Sequence, residues 1–160
     1  MIISNTTPLI NFATIERLDI LEQLFDSIII PVAVKNELIE KGNLFPALKT
    51  IQNSDFISIS KIKDIRLNNS FKIDLDEGEA EVLTLAIERN AELILLDELT
   101  ARKIAKFHEV NFIGSIGCLV LAKRNGIIIN IKPLLDLMRE KARFWINQKL
   151  YERILFDNQE

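Results

Sequence analysis

This 160-residue chain has one cysteine, one histidine, one tryptophan and one tyrosine, with five glycines and four prolines. Each scarcity excludes something. A lone Cys118 forms no internal disulfide; in its apolar helical pattern it reads as an inert core thiol, and it suits a reducing cytoplasm. One histidine and one cysteine offer no ligand pair at zinc spacing. So few glycines leave no phosphate-cradling loop, and GSIG (114–117) is too short for a dinucleotide fingerprint. No apolar run reaches the 18 or more residues of a membrane span, and MIIS at the start is not a secretory signal. No repeat, linker or low-complexity tract interrupts the chain.

What remains is 48% apolar residues, enough for one domain with a real core over 1–160. The net charge of −3 does not mark a nucleic-acid binder, but its distribution is uneven. Residues 1–98 hold 9 Lys/Arg against 17 Asp/Glu, whereas residues 99–160 hold 11 against 6. An acidic half suited to cations beside a basic half suited to phosphates fits a nucleic-acid enzyme, and also a self-complementary dimer. The basic residues between Lys103 and Arg153 are candidates for a backbone-binding surface, though most read as solvated helix faces.

Short apolar strands alternate with helical patterns. Strands are expected at Met1–Ser4, Ser27–Ile30 (stopped by Pro31), Phe56–Ile59, Leu93–Leu96 and Val110–Ile113. Helices are expected after Thr6 or Thr7 as cap, at Arg17–Phe25, Pro31–Glu40, Phe45–Gln52, Thr100–Phe107 and Ser115–Arg124. Two amphipathic helices, Pro133–Arg143 and Gln148–Phe156, close the chain, and Lys61–Lys72 reads mainly as loop. Phe144 and Trp145 read as anchors of the C-terminal segment rather than as platforms for stacking bases. The alternation predicts an α/β sandwich with a mostly parallel sheet of about four to five short strands covered on both faces.

Asp74–Glu98 organises the rest. Gly78 and acids at 74, 76, 77, 79 and 81 favour a loop turning into a helix start, where acids complement the dipole. A helix of about 11 residues runs roughly 16 Å away, and a strand of four or five returns roughly 13 to 16 Å. Glu79 and Asp97 therefore finish at one edge. Right-handed crossovers bring Asn5, after the first strand, and Glu37, in the helix after the second, to that edge as well. The pair Glu79 and Asp97 reads either as part of a cation site or as dipole compensation plus a loop aspartate. Ser4, Thr6 and Thr7 lie beside that edge, with helix capping the favoured role for at least one. Arg102 stands five residues past Asp97, within reach of a site carboxylate or a substrate phosphate. Ser115 begins a helix whose N–H groups are placed to cap or to meet a phosphate.

Six stretches, SNTTPLI (4–10), PVAVKNELI (31–39), LDEGEAEVL (75–83), LLDE (95–98), IGSIGCLVLAKRNG (113–126) and FWINQKLYERIL (144–155), occur in an order that resembles the PIN-domain family. They look most like its prokaryotic VapC-like toxin ribonucleases. The resemblance implies a three-layer α/β/α sandwich and hydrolytic RNA cleavage by acids holding Mg²⁺ or Mn²⁺. It also implies RNA as substrate, a small antitoxin protein as partner, a homodimer and a cytoplasmic setting. Carried over by motif, the metal-binding and catalytic positions are Asn5, Glu37, Glu79 and Asp97, with Thr6, Arg102 and Ser115 near the substrate. The 18-residue interval to Asp97 suits Glu79 over Glu81. Hard oxygen ligands match both ions, and a metal-generated hydroxide needs no side-chain nucleophile. Asn5 departs from the pattern, which has an aspartate there, and removes one negative charge. A disarmed PIN-like module that binds RNA or a protein is the alternative that this residue motivates.

Overall fold

The computed structural model describes residues 1–42 and 46–160. Five strands, β1 (Ile2–Ser4), β2 (Ile28–Pro31), β3 (Ile57–Ser60), β4 (Leu93–Leu95) and β5 (Phe112–Ile113), form one all-parallel sheet ordered β3-β2-β1-β4-β5. Helices α1 (Thr6–Thr14), α2 (Asp19–Phe25), α3 (Val32–Gly42), α4 (Lys49–Gln52), α5 (Ile65–Phe71) and α6 (Glu77–Glu88) precede β4. They are followed by α7 (Leu99–Phe107), α8 (Ser115–Arg124), α9 (Lys132–Lys141) and α10 (Gln148–Asp157). The expected α/β sandwich with a parallel central sheet is the observed one.

The strands are short apolar runs because helices cover the sheet, as parallel sheets require. Ile3, Ile28, Ile94 and Leu95 are fully buried. Helix α6 packs on β1, β2 and β4 and against α3 and α5, while α1 packs on α3, α8 and α9. Chain order runs outward from β1 in both directions, toward β2 and β3 on one side and β4 and β5 on the other. The switch point is therefore β1/β4, where the register pairs Ser4 with Leu95 and the Asn5 N–H donates to the Leu95 carbonyl at 3.0 Å. Such a crevice, outside the carboxyl ends of the strands, is where open α/β sheets bind ligands.

Three local expectations need correction. Lys61–Lys72 contains α5, with Asp64 accepting from the Leu67 N–H as its cap and Phe71 buried. The Lys63 and Asp64 N–H groups donate to Glu88 on α6, a tertiary support that local pattern does not display. The expected helix Phe45–Gln52 is a 3₁₀ turn at Pro46–Leu48 followed by α4, and Phe45 lies outside the described residues. Trp145 does not anchor the C-terminal segment: it is 80% exposed, and the anchors are Ile146, Tyr151, Ile154 and Leu155. Helices α9 and α10 are tied by the Tyr151 hydroxyl donating to Asp136 at 2.7 Å, with the Arg139 guanidinium over the Tyr151 ring. The Glu160 carboxylate accepts from the Ile131 and Lys132 N–H groups, satisfying donors at the start of α9.

Candidate functional site

At the switch point α6 begins with a capping box. The Asp76 carboxylate accepts from the Glu79 N–H at 2.8 Å, and Glu79 accepts from the Asp76 N–H at 3.1 Å. Asp76-Glu77-Gly78-Glu79 thus carries an acid at both capping positions, with Gly78 between them. A Cβ at Gly78 would meet Glu37 Oε2 at 3.2 Å, Asn5 Oδ1 at 3.4 Å and Asp76 Oδ1 at 3.5 Å. Oxygens from three separate elements therefore face one point, left open by the missing side chain. Glu79 is buried, and desolvation pushes its carboxyl above the ordinary value. The charge of Asp76 adds to that rise, its backbone hydrogen bond opposes it, and Glu98 and Glu37 add further.

Asn5 is the buried member, 3% exposed, and caps α1 through its backbone alone. Its Oδ1 is buried with no hydrogen-bond partner among the described residues. A neutral amide oxygen left unsatisfied amid acids costs on the order of 1 to 3 kcal/mol, so the position calls for a donor or a cation. The Thr6 hydroxyl donates to Glu37 Oε2 at 2.5 Å, the Lys41 ammonium holds Oε1, and the Thr7 hydroxyl lies 3.4 Å from Glu98. The expected capping role of Thr6 and Thr7 is therefore wrong for α1: their hydroxyls meet carboxylates that are distant in sequence.

Asp97, two residues beyond β4, occupies the adjoining side of the edge. Its Oδ1 accepts from the Ser115 N–H at 2.8 Å and lies 3.4 Å from the Arg102 guanidinium. Its Oδ2 accepts from the Ser115 hydroxyl at 2.6 Å. Arg102 also donates to the Leu96 carbonyl at 2.8 Å and lies over the Phe112 ring. Ser115 does not cap α8, whose cap is Gly114; its N–H and hydroxyl hold Asp97. Asn11, on the buried face of α1, donates to the Ser115 hydroxyl at 3.0 Å and approaches Asp97 at 3.4 Å. Glu81 is elsewhere: its carboxylate accepts from the Ala33 N–H at 2.8 Å, in the first turn of α3.

Asn5 and Glu37 are brought together with Asp76, while Glu79 lies at the same helix start, held by the Asp76 N–H, and Asp97 lies beyond the neighbouring strand end. Sequence reasoning missed Asp76, Asn11 and Lys41 as parts of this site. A signal existed for Asp76, an acid two residues before the glycine, and for Asn11, a polar residue inside an apolar helical stripe. Among the described residues, no three His, Cys, Asp or Glu side chains are gathered as a ready metal cage. Lys41, the Asp76 N–H, and the Ser115–Arg102 pair hold the three carboxylates individually. The donors are nonetheless all oxygen, and the unpaired Asn5 Oδ1 faces the same point as Glu37 and Asp76, which fits a hard divalent cation.

Together these features define an α/β sandwich with an oxygen-lined site at the switch point of its sheet. The chain belongs to the PIN-domain family: the model of its DUF3368 branch, described as a PIN domain, matches residues 1–160. That membership makes a nuclease-type domain, in a family that generally uses divalent metals and acts on RNA. No curated protein and no solved structure matches the chain. Among the described residues no helix is long and apolar enough to cross a membrane.

Proposed function

We propose that this PIN domain is a Mg²⁺- or Mn²⁺-dependent endoribonuclease of the VapC-like kind. The observation that carries the reading is the buried, unpaired Asn5 oxygen facing Glu37 and the acidic start of α6. Asn5, Glu37, Glu79 and Asp97 would hold the ion, directly or through its waters. The ion would polarise the scissile phosphate and lower the pKa of an attacking water.

The chain's own residues do the rest. Thr6 and Lys41 orient Glu37, the capping box fixes Glu79, and Arg102, Asn11 and Ser115 fix Asp97. Fixing acids before the ion arrives lowers the reorganisation that binding demands. An antitoxin partner, a homodimer and a cytoplasmic setting follow from the VapC-like reading alone.

Pure protein with Mn²⁺ should cleave single-stranded RNA, EDTA should stop cleavage, and Asp97→Ala should abolish it without unfolding the domain. Absence of cleavage across varied RNAs in Mn²⁺ refutes the reading. The second reading is a disarmed RNA- or protein-binding module, favoured by Asn5 where the family has an acid and by the ammonium of Lys41 already on Glu37. RNA binding that is indifferent to Mn²⁺ and EDTA, without cleavage, would establish it.

A further inference from the structure

Beside Asp97 opens a cleft of about 900 Å³, lined by β5, the first turns of α7 and α8 and the connection between α9 and α10. Its lining includes Asp97 and Glu98 from the acidic edge and Arg143, Phe144 and Trp145 from that connection. The connection is tied at both ends. The Ala142 and Phe144 N–H groups donate to the Met138 carbonyl, and the Asn147 side chain caps α10 by accepting from the Leu150 N–H at 2.8 Å. Ile146, between them, is buried in the core. The only tryptophan of the chain thus stands 80% exposed on a fixed support, with cationic Arg143 two residues before it. Across the cleft Arg102 lies over Phe112 at 5.6 Å.

We propose that this cleft is a stacking subsite for a nucleobase of single-stranded RNA, with Trp145 as the stacking face. The proposal rests on the nuclease reading and adds where the strand beside the scissile phosphate lies. Three properties favour a base over another occupant. A large exposed aromatic plane with only two side-chain torsions, on a tied backbone, loses little entropy when a flat partner covers it. Aromatic rings and guanidinium groups both line the cleft, and both kinds stack on bases whatever the sequence. The cleft also continues into the Asp97 side of the acidic edge, so a base on Trp145 would leave its phosphate facing Arg143 or that edge. Arg102 and Arg143 in the lining supply the cationic groups that a strand's phosphates would meet.

Because Trp145 is the sole tryptophan, its emission reports on the subsite directly. Emission is followed while a short single-stranded oligoribonucleotide is added in EDTA, which prevents cleavage, with an RNA duplex in parallel. The single strand should quench the emission and the duplex should leave it nearly unchanged. By anisotropy of a labelled strand, Trp145→Ala should weaken binding roughly 5- to 150-fold, the worth of one stacked base, and Trp145→Phe should restore part of it. Thermal unfolding of both variants should match the wild type, since the ring is exposed. Single-strand binding with unchanged emission, and equal binding by Trp145→Ala, overturns the subsite. So does an emission change that follows protein dilution instead of RNA, which assigns the face to a second copy. Cleavage in Mn²⁺ is scored separately. Cleavage by Trp145→Ala with unaltered KM sinks the subsite alone, whereas quenching without wild-type cleavage sinks the nuclease reading and keeps the subsite.

Discussion

Replacing Asn5 by aspartate tests the centre of the site with a known sign. The oxygens of Asn5 and Glu37 lie 3.4 and 3.2 Å from the same point, so they are no more than about 7 Å apart. At an effective dielectric of about 20, two unit charges at that spacing repel by about 2 kcal/mol. In EDTA at neutral pH the Asn5→Asp protein should melt about 4 to 8 °C below the wild type, at 2 to 4 °C per kcal/mol for a chain of this size. The new carboxyl has a folded-state pKa raised above its unfolded value. Its deficit is therefore full at neutral pH, shrinks as pH falls through the raised folded value, and is gone below about 4. Mn²⁺ at about 100 times its Kd adds about 2.7 kcal/mol to the folded state, enough to reverse the deficit and lift Tm above that of the metal-free wild type. Differential scanning fluorimetry across a Mn²⁺ series, in wild type and variant, reads all three numbers. An Asn5→Asp protein as stable as wild type in EDTA would show that the Asn5 oxygen does not face the acids. A deficit that Mn²⁺ and Mg²⁺ leave untouched would show that the acids meet without forming a cation site.

Glu81→Ala removes the acceptor of the Ala33 N–H and should lower stability by about 1 kcal/mol; isothermal titration should find Mn²⁺ affinity unchanged, whereas Glu79→Ala should lose it. Gly114→Ala would set a methyl group 2.6 Å from Asp97 Oδ1 and against the Arg102 guanidinium. Expected outcomes are about 1 to 3 kcal/mol of overpacking, seen by denaturant titration, and loss of Mn²⁺-dependent cleavage. Asp136 is held below its ordinary value of 3.8 by hydrogen bonds from Lys132 and then Tyr151. A depressed carboxyl stabilises above its unfolded value and loses that contribution as pH falls through the folded one. Asp136→Asn should therefore be less stable than wild type at pH 7, and the gap should close at the acid end, below 3.8.

The alternation of strands and helices was legible because each strand is a continuous apolar run and each covering helix has its own period. Asn5, Glu37, Glu79 and Asp97 could be assigned to one edge because parallel crossovers return every strand end to the same side. What sequence did not display is which partner a polar side chain chooses. Thr6 and Ser115 carry residue types that cap helices, yet both turn to carboxylates on other elements, a choice set by packing across 31 and 18 residues. Helix α5 was hidden for the same reason, since the carboxylate holding its entrance comes from Glu88. Trp145 misled in the opposite direction: an apolar ring reads as core until its neighbour Ile146 is seen taking the buried place. Glu79 and Glu81 sit two residues apart in one acidic run; the interval to Asp97 favoured Glu79, and the Asp76 capping box and the Ala33 N–H show how their side chains part.

The order of the sheet also has a consequence for synthesis. Strand β1 is central, and its register with β4 joins residues some ninety positions apart, Ile2 to Leu93. Asn5 emerges early and Asp97 far later, so at about 5 to 20 residues per second the two are separated by about 5 to 20 s on the ribosome. Until β4 docks beside β1, neither the Asn5 N–H nor the switch-point crevice has its neighbour. Closing so long a loop is a slow step, and the oxygen cluster is assembled only after it. A nascent chain shorter than that carries the acids of α3 and α6 without the edge that unites them with Asp97.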